Sequence, residues 1–120
     1  MSAPILTREQ ATQLCQALPG VYEDYPFDDF NWTVMRHREN RKSFAFIFQR
    51  EEKIWINVKA EPMWGELWQG AYEAVVPAYH MNKRHWISII LDGTMEDKDI
   101  LRLISDSFFL TAPGKTQKCT

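Results

Sequence analysis

Apolar residues recur along this chain with two different periods, and each period predicts one kind of secondary structure. In three segments they are spaced three or four residues apart, as on one face of an amphipathic helix. These predicted helical faces comprise Ala11, Leu14, Cys15 and Leu18; Trp64, Leu67, Trp68 and Ala71; and Ile100, Leu101, Ile104 and Phe108. We therefore expect three helices, each of which buries these residues against the rest of the fold.

Residues that favour helix ends flank the same segments. Thr7 and Gln10 have the spacing of a capping box ahead of the first helix. Pro62 suits the first turn of the second helix, and Pro77 lies beyond its end. The third helix is predicted at about residues 95–109.

Between the first two helices, apolar and polar residues alternate as they do in half-buried strands. The alternation predicts three strands, at about residues 31–36, 44–48 and 54–59. In the second of them Phe44, Phe46 and Phe48 are expected to share one face, with Ala45 and Ile47 on the other. The connections are too short for crossovers, which predicts an antiparallel meander.

Two more strands are predicted after the second helix, one around residues 75–76 and one at residues 87–91. Residues 21–30, which are acidic and aromatic, are interpreted as a connection without a strand. The resulting order, α-β(3)-α-β(2)-α, predicts the α+β class, an open antiparallel sheet with helices packed against it. We expect one domain at residues 1–111, because the chain is too short for a second core, and a disordered tail at residues 112–120.

Composition and charge narrow the function classes. The net charge of -2 argues against strong non-specific affinity for nucleic acid, although it leaves room for a local basic patch. The two cysteines, Cys15 and Cys119, form neither a disulfide framework nor a metal-ligand pattern. We interpret Cys15 as a reduced core residue, which favours a cytoplasmic setting. No segment resembles a secretory leader or is apolar over the length of a membrane span.

Motifs of catalysis are absent from the sequence. It has no glycine-rich phosphate loop and no nucleophile elbow, and neither cysteine has a setting that would activate a thiol. The three histidines, His37, His80 and His85, lack the spacing of metal ligands. We therefore expect a protein that is not an enzyme and that binds neither a metal nor a cofactor.

Two basic segments are the candidates for a binding site. They contain Arg36, Arg38, Arg41 and Lys42 in the first predicted hairpin, and Tyr79, His80, Asn82, Lys83, Arg84 and His85 ahead of the last strand. Cations, donors and aromatic rings in this combination suit the phosphate groups and exposed bases of nucleic acid. The alternative is that Tyr79 and Trp86 pack into the core and that both turns only carry solvated charges, which keep sheet edges soluble.

Four segments also resemble the MmcQ/YjbR family. They are LPGVYEDYPF (18–27), KSFAFI (42–47), VVPAYHMNKRHWISIILDG (75–93) and ILRLISDSFFL (100–110), of which YHMNKRHW is the most specific. The resemblance implies a fold of the secretion-chaperone-like class with the order α-β(3)-α-β(2)-α. It also implies DNA as the partner, bound through the double-wing arrangement that has been proposed for the family.

A second function class stays open beside DNA binding. Secretion-chaperone-like folds bind partner chains, so the domain could be a protein- or small-ligand-binding module without catalytic activity. Trp55 should lie on the sheet face opposite Ile54 and Ile56, where an uncovered apolar patch would invite a partner. A continuous basic surface across both hairpins would favour nucleic acid, whereas an exposed groove lined by tryptophan would favour a protein or a small ligand.

Overall fold

The computed structural model describes residues 4–114, which form three helices and one six-stranded antiparallel sheet. The elements are α1 (Arg8–Gln16), β1 (Val21–Asp24), β2 (Thr33–His37), β3 (Ser43–Arg50), β4 (Lys53–Lys59), α2 (Pro62–Ala71), β5 (Val75–Pro77), β6 (Trp86–Leu91) and α3 (Asp97–Thr111). The predicted α+β class with an open antiparallel sheet is confirmed. The order is α-β(4)-α-β(2)-α, so the sheet has one strand more than the sequence predicted.

The strands are ordered β1-β2-β3-β4-β6-β5 across the sheet. α3 packs against β3 and β4, α1 against β3, and α2 against β5. Ile47 and Ile56 point to this helix-side face and belong to the main core. Because side chains alternate along a strand, Val34, Phe48 and Trp55 point to the opposite face. Loop residues partly cover that face, which we call the loop-side face.

The helices α1 and α3 lie close to their predicted positions. The capping box of α1 is present, since the Thr7 hydroxyl accepts from the Gln10 amide and the Gln10 side chain accepts from the Thr7 amide. In α3, Leu103 lies in the core, whereas Leu101, which was predicted to face inward, is exposed. Leu101 is about 100° round the helix from Ile100, so the buried stripe that begins at Ile100 does not include it.

β1 is the strand that the sequence did not reveal, and the interpretation of residues 21–30 as a connection is wrong at its start. Val21–Asp24 pairs antiparallel with β2 at the edge of the sheet. Glu23 and Asp24 are of types that strands disfavour, and no apolar alternation marks the segment. Backbone pairing and an ion pair between Asp24 and Arg36, at 2.7 Å, hold it in place.

A β-bulge at Phe44 corrects the predicted faces of β3. The register shifts between Met35 and Arg36 of β2, which leaves Phe44 without a partner there. Phe44 therefore belongs to the helix-side core, where its ring centroid lies 5.4 Å from that of Phe108. The other two phenylalanines of the strand stay on the loop-side face. A bulge inserts one residue into an alternating pattern, so the period of the sequence does not reveal it.

α2 lies where the sequence predicted, but it does not bury the predicted face. Trp64 is 52% exposed and Leu67 is 55% exposed, so the prediction that both pack against the sheet is wrong, while Trp68 is partly buried. The helix approaches the sheet through Gly65, where an added Cβ would lie 3.3 Å from Cγ2 of Ile87. Because the helix backbone lies so close to the sheet at Gly65, the side chains of Trp64 and Leu67 lie outside this contact and remain exposed.

The segment after α3 is described only as far as Gly114. Residues 115–120 of the predicted tail, with Cys119 among them, lie outside the described residues, so the predicted disorder at 112–120 stays a prediction. None of the helices within residues 4–114 combines the length and the apolar character that crossing a membrane requires.

Candidate nucleic-acid interface

The two basic segments lie at the same end of the sheet. The first is the β2–β3 turn, residues 38–42, which we name basic turn 1. The second comprises residues 82–85, which enter β6 and which we name basic turn 2. Lys59 at the end of β4 pairs with Trp86 at the start of β6, and both lie beside the start of β3, where Ala45 pairs with Val58. Because only β4 separates β3 from β6, the strands that carry the two turns are about 10 Å apart.

Basic turn 1 is fixed by Asn40. Its side-chain oxygen accepts from the amide of Lys42 at 3.0 Å, and its side-chain nitrogen donates to the carbonyl oxygen of Thr111 at 2.9 Å. These bonds fasten the turn to the end of α3. Arg41 adopts a left-handed conformation with φ of 62°, and Arg38, Arg41 and Lys42 are all exposed.

Arg36 supports basic turn 1 from within the sheet. Its Nε donates to a carboxylate oxygen of Asp24 at 2.7 Å. A terminal guanidinium nitrogen donates to the carbonyl oxygen of Arg41 and to the hydroxyl of Ser43, both at 3.0 Å. The charge of Arg36 is thus paired and its donors are used inside the fold, so its place is structural.

His37, which precedes basic turn 1, is a core residue. Its ring lies 5.3 Å from the ring of Phe44 and 4.6 Å from that of Phe108, and its Nε2 is 2.8 Å from Oγ1 of Thr111. Burial lowers the pKa of His37, and a hydrogen bond with the backbone of Phe108 opposes this shift in part. The imidazole is therefore neutral at pH 7 and adds no charge to the turn.

Basic turn 2 is shaped by Asn82. Its Oδ1 accepts from the amide of Arg84 at 2.8 Å, and its carbonyl oxygen accepts from the amides of His85 and Trp86 at 3.3 and 3.0 Å. Asn82 thus closes the turn, and Lys83, Arg84 and His85 are left exposed. Hydrogen bonds therefore hold the backbone that carries the cations of this turn.

A buried polar network fastens the segment before basic turn 2 to the sheet. Asn57 Nδ2 donates to the carbonyl oxygen of Tyr79 at 2.8 Å, and the Tyr79 amide donates to Ser88 Oγ at 3.0 Å. The Ser88 hydroxyl in turn donates to Asn57 Oδ1. The ring of Tyr79 stacks on that of Phe48, with 5.7 Å between their centroids. The guanidinium carbon of Arg50 lies 4.3 Å from the centroid of the Tyr79 ring. Tyr79 therefore positions the segment from inside the fold.

Sequence reasoning missed the partners of Tyr79. Asn57 and Ser88 are fully buried, although each is a polar residue within an otherwise apolar strand. Such residues need hydrogen-bond partners when they are buried, so their presence in apolar strands was the signal in the sequence that could have revealed this network.

The exposed cations of the two basic turns have no ion pair with any described residue. They are Arg38, Arg41, Lys42, Lys83 and Arg84. The ion pairs found within residues 4–114 use other cations, namely Arg36, Arg50, Lys98 and Arg102. Glu39 is the one acidic residue in the sequence of the two turns. Positive charges gathered in this way raise the local concentration of anions, so this end of the sheet suits phosphate.

An apolar cleft of about 530 Å³ opens on the loop-side face next to basic turn 2. It is lined by Phe27, Asp29, Trp32, Phe46, His80 and Met81. His80, which the sequence grouped with the cations, is therefore part of a cleft wall. Met81 is two residues from Lys83, so the cleft adjoins the turn. The aromatic walls come from separate stretches of the chain, which is why no sequence motif revealed them.

Trp55 lies on the loop-side face as predicted, but it is buried, and its Nε1 donates to the carbonyl oxygen of Arg50 at 3.0 Å. It therefore forms no exposed apolar patch.

Exposed apolar surface occurs on the helix side. The apolar side chains that are more than half exposed on α2 and α3 are Met63, Trp64, Leu67 and Phe109. Beside them a groove of about 280 Å³ lies between the two helices, with Trp64 and Trp68 in its wall. We name this surface the α2–α3 patch.

Within residues 4–114, the two basic turns and the cleft present cations, hydrogen-bond donors and aromatic rings. Burial raises the pKa of the Cys15 thiol to about 12, so this thiol is protonated at neutral pH and is not a nucleophile. In the part of the chain that is described, no three His, Cys, Asp or Glu side chains come together as a metal site would require.

Known proteins resemble this chain in sequence over most of its length. The YjbR family model matches residues 16–110. The chain is 33% identical over 118 residues to the protein YyaQ of Bacillus subtilis (strain 168), with coverage of 89% of this chain and 99% of YyaQ. It is 28% identical over 103 residues to the protein YjbR of Escherichia coli (strain K12), with coverage of 86% and 85%.

Solved structures share the fold. The protein DR2400 of Deinococcus radiodurans, with a DUF419 domain, superposes with a TM-score of 0.84 at 26% identity, over 98% of this chain and 87% of that one. A protein from Pseudomonas syringae superposes with a TM-score of 0.78 at 31% identity, over 88% and 99%. None of these names states a ligand. Because the family match spans the whole sheet and both basic turns, the chain belongs to the YjbR family.

Proposed function

We propose that this chain binds nucleic acid by contacting phosphate groups with the exposed cations of basic turns 1 and 2. The observation that carries the proposal is the placement of both turns at one end of the sheet, with cations that form no ion pair with a described residue. Lysine, arginine and backbone donors are the usual partners of phosphate, and such contacts supply most of the non-specific affinity for nucleic acid. The family resemblance favours DNA, with the two turns acting as the paired wings.

The proposed contact set is smaller than the set predicted from the sequence. It comprises Arg38, Arg41, Lys42, Lys83, Arg84 and His85. Arg36, Tyr79 and Asn82 instead hold the turns in place through their hydrogen bonds. Turns that are fixed before binding lose little conformational entropy on binding, which favours affinity.

The proposed role is binding without catalysis, in the cytoplasm. Phosphate contact needs neither a nucleophile nor a metal, and the protonated Cys15 thiol supports a role that is not enzymatic. A reduced, buried cysteine also agrees with a cytoplasmic setting, where nucleic acid is accessible.

Titration of ¹⁵N-labelled protein with a short DNA duplex at low salt tests the proposal. The amide resonances of residues 38–42 and 82–85 should shift together and saturate at the same DNA concentration, because one ligand approaches both turns. The β3–β4 turn, residues 51–52, lies at the opposite end of the sheet and is the internal control. Shifts confined to this control turn, or no shifts at any DNA concentration, would reject the proposal.

A second candidate function is the binding of a protein partner by the α2–α3 patch. The observation that favours it is the exposure of Trp64, Leu67 and Phe109, because exposed apolar patches of this kind mark interaction sites. A second copy of the chain is the simplest partner to test. If copies associate through the patch, Trp64→Glu should abolish concentration-dependent association in sedimentation velocity, while Phe30→Glu, on a distant loop, should not. A wild-type protein that stays monomeric would remove this support.

A further inference from the structure

We infer that the apolar cleft on the loop-side face receives an unpaired base of a single-stranded nucleic acid whose phosphates contact basic turn 2. The inference rests on the proposed function and adds a preference for single strands over duplexes. Its basis is the juxtaposition of an aromatic cleft and an exposed cationic turn, which are the two features that proteins combine when they bind single strands.

The cleft has the size and lining of a site for a flat ring. Its volume of about 530 Å³ falls within the range of about 300–1,000 Å³ that small-molecule sites occupy. Phe27, Trp32, Phe46 and Met81 supply most of the lining. Phe27 is 49% exposed although it is aromatic, so a ligand ring that covered it would remove apolar surface from water.

Aromatic packing behind the cleft holds its walls in place. The ring of Trp32 stacks on buried Phe48 at 4.2 Å with an interplanar angle of 23°, and Phe27 meets Trp32 edge to face at 6.0 Å. Phe46 meets Trp86 edge to face at 5.6 Å. Walls that are fixed in this way need little rearrangement to accept a ring, which favours affinity.

The charges in and around the cleft favour a base inside the cleft and a phosphate on the adjoining turn. Asp29 lines the cleft, and one of its carboxylate oxygens accepts from the amide of Asn31 at 2.8 Å. A carboxylate repels phosphate but accepts hydrogen bonds from the amino groups of bases. Only Asn82 separates Met81 in the cleft wall from Lys83 and Arg84, so these cations lie next to the cleft mouth. A nucleotide can therefore place its ring in the cleft and its phosphate on the turn.

A duplex cannot make the same contact. Its bases are stacked and paired, so only an unstacked base can enter a cleft in the protein surface. Stacking on aromatic rings tolerates any base, because every base has a flat face, so the site should show little sequence preference.

Three probes of closely matched phosphate number test the inference by fluorescence anisotropy at one salt concentration. They are a mixed-sequence DNA strand of about 12 nucleotides, the same backbone without bases, and a duplex of about six base pairs whose two strands are joined by a non-nucleotide linker that keeps them paired. The strand with bases should bind roughly 5- to 100-fold more tightly than the abasic strand and the duplex, as base–aromatic stacking predicts. Equal affinities would overturn the inference. An RNA strand of the same sequence shows whether the sugar matters, and preferential binding of either strand over the duplex supports the inference.

Variants assign the effect to the cleft. Phe27→Ala should lower affinity for the strand with bases by roughly 5-fold or more and leave the abasic strand unaffected, and Met81→Ala, which adds no charge, should act in the same direction. Phe30→Ala is the matched control, since Phe30 is on the same loop, is 92% exposed and does not line the cleft. Circular dichroism and thermal melting check that each variant is folded. Loss of affinity with Phe30→Ala equal to that with Phe27→Ala would overturn the inference.

The outcomes also distinguish this inference from the proposed function. If the strand, the abasic backbone and the duplex all bind with equal, salt-dependent affinity, phosphate binding stands and the cleft inference fails. If none of the probes binds at low salt, the proposed function fails and the cleft inference fails with it.

Discussion

The side-chain nitrogen of Asn57 and the carbonyl oxygen of Tyr79 lie 2.8 Å apart, so an asparagine buried in an interior strand holds the segment that leads into basic turn 2. The Tyr79 amide is held in turn by Ser88. Both polar groups of the Tyr79 backbone are thus satisfied by side chains of the sheet. The position of the cationic turn depends on this pair of contacts.

Asn57→Leu should destabilise the fold by about 2–3 kcal/mol, because it leaves the Tyr79 carbonyl and the Ser88 hydroxyl buried without their partner. Urea unfolding measures the loss. Ser88→Ala should also be destabilising, and the double variant should lose less than the sum of the single losses, because both residues act in one network. Strictly additive losses would contradict the network.

Ser107 bridges β3 and β4 next to the bulged Phe44. Its hydroxyl donates to the Phe44 carbonyl oxygen at 2.6 Å and accepts from the Lys59 amide at 2.8 Å. Ser107→Ala should therefore cost about 1–3 kcal/mol of unfolding free energy, since two buried backbone groups lose their partner. Ser105→Ala, two residues earlier on the same helix, is the matched control. Equal losses in urea unfolding would show that the Ser107 hydroxyl does not bridge the strands.

The sequence predicted the elements that strong periodicity marks and failed where tertiary contacts decide. The spacing of Ala11 and Cys15 identified the buried face of α1, and both residues lie in the core. The face of α2 was mispredicted because Gly65, which has no side chain to enter a pattern, makes the contact with the sheet. β1 was missed because it is a short edge strand with acidic residues that strands disfavour and without an apolar alternation.

The candidate site was only partly visible in the sequence. Clusters of cations are apparent from composition, and the antiparallel order is what brings both turns to one end of the sheet. Which cations are free depends on partners that a sequence does not display, as the pairing of Arg36 with Asp24 illustrates. The cleft was not predictable, because Phe27, Trp32 and Phe46 come together only after the sheet has formed.

His37 should make folding stability depend on pH. Burial lowers its folded pKa below the ordinary value of 6.5, so the unfolded chain binds more protons as the pH falls through that value. The contribution to stability is complete above pH 6.5 and is lost progressively below it, at up to about 1.4 kcal/mol per pH unit. Urea unfolding from pH 7.5 to 5.5 should show this fall, and it should be weaker in His37→Asn.

The control for this prediction is His85→Gln, which removes an exposed histidine and should keep the wild-type fall. If His37→Asn and the wild type respond to pH identically, the buried imidazole is not the source of the pH dependence.

Cys15 should be unreactive in the folded protein. Its pKa is raised to about 12 by burial, and both the protonation and the packing protect it. In a Cys119→Ser background, where Cys15 is the one remaining thiol, a disulfide reagent at pH 8 should react at least about 100-fold more slowly with native than with urea-unfolded protein. Similar rates in the two states would show that the first helix opens readily.

The salt dependence of DNA affinity tests most directly whether the cations of the two basic turns contact phosphates. With about four phosphate contacts, the logarithm of the binding constant should fall with the logarithm of salt concentration at a slope of about -3.6. Replacing both Lys83 and Arg84 with alanine should reduce that slope by about 1.8, since each lost contact removes about 0.9. Replacing Lys53, an exposed cation at the opposite end of β4 that has no ion pair with a described residue, should leave the slope unchanged. Equal slopes for the wild type and the Lys83 and Arg84 double variant, or the same reduction in the control, would contradict phosphate contact at basic turn 2.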